Sequence, residues 1–191
     1  PLCCSDGGME MLLMTTASCC DTMVTSLREL HIARMSILAQ RDGVRIGPSP
    51  GKGYGVFALR QLKAEETVGD YVGEHLTQRD VDARYFQRGT VDMNAADREW
   101  LDSRARRCVT STGNYLFKIS ASCYIDSEDP AVATWTRYLN HGTPNVKVKS
   151  LEKGYNGRPR VWFVATRDVE PGDELLWDYG EDYWYADDTI A

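Results

Sequence analysis

A β-rich α+β domain is the fold class this sequence predicts, and three observations carry it. Most apolar runs have strand length and are bounded by Gly, Pro, Asn, Asp or Ser. Val146 and Val148 alternate with Lys147 and Lys149, as the two faces of a half-buried strand do. Strands do not alternate with long helical segments and no repeat recurs, so a doubly wound parallel sheet is not expected.

In chain order, residues 1–21 show no periodicity. Val24, Leu27, Leu30, Met35 and Leu38 recur at nearly helical spacing and predict one amphipathic helix over about 22–40. Asp21 suits its N-cap and Asp42-Gly43 its stop, and its apolar face is expected to pack on the same chain. Strands are expected at Val44–Ile46, Gly55–Leu59, Val68–Gly73, Tyr115–Ile119, Cys123–Asp126, Val146–Lys149, Val161–Ala165 and Glu174–Trp177. Gln78–Phe86 and Ala95–Arg107 are charged and read as helices, Thr134–Leu139 as a single helical turn. Arg104-Ala105-Arg106-Arg107 reads as a solvated helix face rather than a nucleic-acid contact. The expected division is an N-terminal extension over 1–42, a main domain over 43–185 and a short tail over 186–191.

At 191 residues, 42% hydrophobic and 26% charged, the chain is able to bury a real core. With 22 Lys+Arg against 28 Asp+Glu its net charge is −6, which argues against general nucleic-acid binding and suits a basic peptide partner. No apolar run approaches the roughly 18 residues of a membrane span. Residues 1–20 lack the basic region and apolar core of a secretory signal, and the start at Pro1 fits a piece of a longer protein. The adjacent pairs Cys3-Cys4 and Cys19-Cys20 make no zinc knuckle, so no metal is expected; Cys108 and Cys123 read as buried or ordinary thiols in a reducing compartment.

Three segments carry chemistry. Gly51-Lys52-Gly53-Tyr54-Gly55 leads into a strand, with glycines that permit positive φ and a close approach of backbone to a ligand. It lacks the Gly-Lys-Ser/Thr of a phosphate-binding loop, and by itself it reads better as a plain hairpin turn. Arg137-Tyr138-Leu139-Asn140-His141-Gly142-Thr143-Pro144-Asn145 puts polar, irregular backbone into apolar surroundings; His141 alone reads as a core histidine. Glu174-Leu175-Leu176-Trp177-Asp178-Tyr179-Gly180 is followed by Tyr183-Trp184-Tyr185. Thirteen of the nineteen aromatics fall from Tyr115 to Tyr185, enough to line a channel as well as fill a core.

Taken in order and spacing, these segments resemble the SET domain of histone lysine methyltransferases, over roughly Val44 to Trp184. Gly53-Tyr54-Gly55 resembles its GxG motif, Tyr115-Leu116-Phe117 and Tyr124-Ile125-Asp126 its substrate-side strands, 137–145 its R-F-[IL]-N-H-S-x-x-P-N and 174–180 its E-L-x-x-D-Y-G. The resemblance implies a β-clip-like fold with a knot-like C-terminal crossing, and methyl transfer from S-adenosylmethionine to a lysine ε-amine. The substrate it implies is a basic, lysine-containing peptide or protein such as a histone, in the nucleus or the cytoplasm, without membrane or direct nucleic-acid binding. It implies cofactor contacts from Lys52, Gly53, Tyr54, Arg137, Asn140, His141 and Trp184: backbone from Gly53 and Tyr54, the methionine end for Asn140, adenine for the His141 backbone and the Trp184 ring. Tyr179 and Tyr115 take the catalytic positions, and Tyr115, Phe117 and Trp177 line the lysine channel.

The chain departs from the family pattern in three places. Gly142 stands where the family has Ser, Trp177 where it has Tyr or Phe, and no cysteine follows Cys123 to build a zinc-binding post-SET segment, so Tyr183-Trp184-Tyr185 is expected to close the site. A catalytically weak SET-fold peptide binder, a methyltransferase of a non-histone protein, and a β-rich interaction module without cofactor remain the alternatives.

Overall fold

The computed structural model describes residues 29–86, 91–154 and 156–180. Helix α1, described over 29–41, buries Met35 and Ala39 completely in the main core, with Leu38 packed against it. The expected docking on its own chain is observed, although Leu30 is 63% exposed and belongs to the outer face. Its stop is as expected: Gly43 has φ +80 and donates to Gln40 O. Asp21, Val24 and Leu27 lie outside the described residues.

β1 (Val44–Ser49) and β2 (Gly53–Ala58) form an antiparallel hairpin. A second sheet orders β3 (Thr67–Tyr71), β9 (Arg160–Ala165) and β8 (Val146–Leu151), all antiparallel. A third orders β4 (Glu74–Leu76), β6 (Cys123–Asp126) and β5 (Leu116–Ser120), which leaves β5 at an edge. The last pair is parallel and two residues long: β7 (Asn140–His141) beside β10 (Leu176–Trp177). Short antiparallel strands thus dominate, as expected. Two differences stand out. The run read as a strand over Val68–Gly73 stops at Tyr71 and resumes as β4, because Gly73 lies so close to β6 that a Cβ there would be 2.0 Å from Asp126 O. Asn140–His141, read as irregular, pairs with β10.

The helical insert comprises α2 (Gln78–Val81), a π-helical turn (Asp82–Phe86) and α3 (Ala95–Arg106). Thr77 and Asn94 cap α2 and α3 in reciprocal capping boxes with Asp80 and Asp97. The reading of Arg104 as solvated is corrected: it is 1% exposed, ion-paired with Asp126 and Glu74, and lies 3.9 Å over the Trp100 ring. Arg106 and Arg107 are exposed but pair with Glu99 and Asp129. Burial favours Arg here because five N–H donors on one planar group satisfy several acceptors at once. Of the two thiols read as buried or ordinary, Cys108 is exposed and Cys123 partly buried, which pushes the Cys123 thiol up. Cys3, Cys4, Cys19 and Cys20 lie outside the described residues.

The core unites these pieces. Val44, Val56, Trp135, Val146, Val161, Phe163 and Leu175 are buried in one cluster, and Trp135 is oriented by donating Nε1–H to Asp42 at 2.7 Å. Gly69 admits this indole, since a Cβ there would lie 2.6 Å from it.

Candidate active site

Two segments distant in sequence meet at one end of the core. The 3-10 turn Trp135–Tyr138 delivers Leu139 to Asn145 alongside residues 174–179. Asn145, 3% exposed, ties the two together: its Nδ2 donates to Glu174 O at 2.8 Å, and its Oδ1 accepts from Leu176 N at 2.9 Å. The same strip joins β2, through Leu175 N to Val56 O at 2.7 Å and Ala58 N to Asp173 O at 2.9 Å. The segments that the resemblance expects to cross therefore lie side by side, each held through backbone groups that would otherwise be unsatisfied.

Around this junction the polar residues converge. Lys52 Nζ donates to His141 O at 2.6 Å. Asn140 Nδ2 donates to Tyr54 O at 3.0 Å and to Glu174 Oε1 at 2.9 Å. Gly51 and Gly53 have φ +74 and +75, with nothing within 4 Å of where a Cβ would stand. That is the open, left-handed backbone expected of this turn. Tyr54 is 46% exposed and meets Tyr138 edge-on. Gly142 packs on Leu176, whose Cδ1 would lie 2.9 Å from an added Cβ.

From this polar end runs a row of rings. Tyr179 and Trp177 have centroids 4.8 Å apart, Trp177 and Phe163 5.3 Å, and Trp177 and Phe117 6.1 Å. Tyr179 donates its hydroxyl to Leu139 O at 2.8 Å, and its backbone N–H to His141 Nδ1 at 3.3 Å. Trp177 is half-buried, with one neighbour, Phe163, in the sealed core and another, Tyr179, at the polar end. It therefore borders both the core and the polar end.

Tyr115 immediately precedes β5. Its carbonyl accepts from Tyr71 Oη at 2.8 Å and from Ser127 N at 3.2 Å, and the Arg137 guanidinium stacks 4.1 Å over its ring. Arg137 thus faces aromatic rings, and its buried Nε has no partner among the described atoms. Tyr71 was read only as a strand residue. It lies 6.1 Å from Phe117 and 6.3 Å from Phe163, and burial pushes its hydroxyl well above the ordinary tyrosine value. A large polar aromatic enclosed by glycines in Val68-Gly69-Asp70-Tyr71-Val72-Gly73 was the available signal. Glu174 was the other residue missed; its place in a motif was visible, its partners were not. Trp184, with Tyr183 and Tyr185, lies outside the described residues.

A cavity of about 400 Å³ opens elsewhere, between the end of β3, His75 and the hairpin joining β8 to β9; among the described residues Tyr71 is the one member of the site in its wall. Among the described residues no group of three His, Cys, Asp or Glu is arranged to hold a metal, and no helix is long and apolar enough to cross a membrane.

The junction, the ring row and the glycine turn from Gly53 onward fall within residues 53–180, which match the SET domain. The chain belongs to the SET-domain family. Curated relatives align over most of the chain. A histone-lysine N-methyltransferase, H3 lysine-4 specific, of Aspergillus oryzae is 30% identical over 153 residues, 79% of this chain and 11% of that protein. Histone-lysine N-methyltransferase Set8 of Drosophila melanogaster is 30% identical over 150 residues, 76% of this chain and 19% of that protein. N-lysine methyltransferase KMT5A-A of Xenopus laevis is 25% identical over 163 residues, 84% of this chain and 43% of that protein. The chain therefore spans less than half the length of each of these relatives.

Proposed function

We propose that this SET domain is a protein-lysine N-methyltransferase using S-adenosylmethionine, with a histone tail as its substrate and the nucleus as its place of action. The observation that carries this reading is that the polar junction and the ring row meet at Tyr179, which touches Trp177 on one side and Leu139, next to Asn140, on the other. A site for the donor's amino-acid end and a desolvating path for an amine are therefore contiguous.

The residues fit the cofactor. A zwitterionic amino-acid end needs a cation beside carbonyl acceptors; Lys52 Nζ donates to His141 O, and the Tyr54 carbonyl accepts from the neighbouring Asn140. Lys52, Gly53, Tyr54, Asn140 and His141 would hold it, with Arg137 and Trp184 completing the set that the resemblance implies. When bound, it supplies a sulfonium methyl already activated for displacement, so no side-chain nucleophile is required.

The chain's own task is to present a neutral amine in line. Free lysine has a pKa of about 10.4, and enclosure by Tyr115, Phe117 and Trp177 disfavours the ammonium by withholding water. Alignment at contact distance then lowers the barrier by several kcal/mol. The Tyr179 ring is fixed by its bond to Leu139 O, so its oxygen can accept polarised C–H groups at a set position. The exposed edge of β5 suits an extended peptide added as a further strand. The indole of Trp177, larger than the phenol or phenyl of its relatives, is read as limiting the product to monomethyl-lysine. The net charge of −6 supports a basic substrate rather than nucleic acid.

The test is mass spectrometry of histones and lysine-containing peptide arrays incubated with the protein and isotopically labelled cofactor. One labelled methyl on a defined lysine is expected. Cofactor binding without incorporation into any histone or peptide would replace this reading with that of a catalytically weak binding module.

A further inference from the structure

Glu174 is the group on which the polar junction converges. Its Oε1 accepts from Asn140 Nδ2 at 2.9 Å and its Oε2 from Ser49 Oγ at 3.1 Å. Gly55 makes room for it: a Cβ on Gly55 would stand 2.2 Å from Glu174 Oε1. Unlike Gly51 and Gly53, Gly55 is not among the glycines with positive φ, so close approach and not backbone torsion is what requires this glycine.

The chemistry of these partners settles a question of orientation. A side-chain amide donates from one pole and accepts at the other, and half a turn of the group exchanges them. Both N–H bonds of Asn140 are committed, one to the Glu174 carboxylate and one to the Tyr54 carbonyl. Neither partner donates, so the turned amide would set its oxygen against two acceptors. The remaining pole, Oδ1, then faces outward as an acceptor.

We propose that Glu174 is a positioning residue that locks the Asn140 amide with its oxygen outward, so that the site selects the α-ammonium of the cofactor's amino-acid end. This inference rests on the assignment of Asn140 to the cofactor made above. Ser49, 5% exposed, holds the far carboxylate oxygen, so Glu174 cannot turn away without stranding a buried hydroxyl.

Calorimetric titration with S-adenosylhomocysteine and with its des-amino analogue, in which hydrogen replaces the ammonium, tests the lock. The unsubstituted protein is expected to prefer S-adenosylhomocysteine by about tenfold or more, the scale of a hydrogen bond to a charged group. Glu174→Gln, whose amide both donates and accepts, is expected to shrink that preference to about threefold or less. Adding Glu174→Gln to Asn140→Ala is expected to change the preference no further, because the two act as one unit. An unchanged preference in folded Glu174→Gln, or additive losses in the double variant, overturns the lock while leaving the methyltransferase reading intact. Failure of the unsubstituted protein to bind either compound overturns both. Should Glu174→Gln lose its near-ultraviolet dichroism, Gly55→Ala is measured instead. Its added Cβ displaces the carboxylate without neutralising it, and an unaltered preference there overturns the lock equally.

Discussion

Residues 139–145 and 174–179 are joined mainly by uncharged groups, the Asn145 amide on two backbone partners, the Tyr179 hydroxyl on Leu139 O and a two-residue parallel ladder, with the Glu174 carboxylate on Asn140 as the charged exception. Residues 78–107 are joined to the sheets by charges instead. Arg104 meets Asp126 and Glu74 of the sheet, while within the insert Arg79 and Arg84 meet Asp97, whose side chain is fully buried. The neutral bonds set the backbone geometry of the junction without the cost of burying paired charges. Buried ion pairs hold the insert in a single docking, because each half is costly without the other.

The largest effect should come from breaking the charged region. Arg104→Met leaves Asp126 buried without its cation, a loss of about 3–5 kcal/mol. Chemical denaturation should show it as a lower midpoint with an unchanged slope; a loss below about 1 kcal/mol would mean the pair is dispensable.

Acid should weaken the same region by degrees. Arg79 and Arg84 hold the Asp97 carboxyl well below its ordinary range; against burial, Thr112 and Gly113 lower Glu128, and Arg107 lowers Asp129. Groups depressed in the folded state add stability above the unfolded carboxyl range of about 4, and lose it as pH falls through their folded values. Melting temperature should hold steady from pH 7 to about 5 and fall below about 4. A flat profile down to pH 3 would contradict the assignment.

Within the neutral region the comparison sharpens on activity. Tyr179→Phe removes one hydroxyl and no volume, so stability should change by about 1 kcal/mol while turnover drops about 100-fold. Near-normal turnover would remove Tyr179 from the reaction. The smallest effect belongs to Trp177→Phe, with a stability cost below about 1.5 kcal/mol. Dimethyl-lysine newly visible by mass spectrometry would place the indole in the channel; an unchanged product distribution would make it packing against Phe163 alone.

These regions also differed in how legible they were. The site's segments were readable because the features that build each one are local: glycines at 51, 53 and 55, Asn-His before Gly-Thr-Pro-Asn, and Asp-Tyr-Gly after a short apolar run. Strand positions followed from local alternation, and Cys123–Asp126 was placed without error. The burial of Arg104 was hidden because its partners, Asp126 and Glu74, lie 22 and 30 residues away, and an Arg on a charged helix looks solvated from its neighbours alone. Tyr71 and Glu174 were missed for the same reason: their significance comes from Tyr115 and Asn140, residues with which they share no sequence motif.

The bond between Ser49 and Glu174 spans 125 positions and that between Asn140 and Tyr54 spans 86. Synthesis runs the other way, from β1 and β2 onward, and their hairpin can close as soon as it is made. Residues 174–179 arrive last of the described segments, and until they dock Val56 O, Leu139 O and the Asn145 amide lack the partners that shape the site. Contacts of such long sequence separation also form slowly. The junction is thus a timer: no nascent chain still short of residue 174 can complete it, and the SET domain is assembled only once its last segment has been drawn closed.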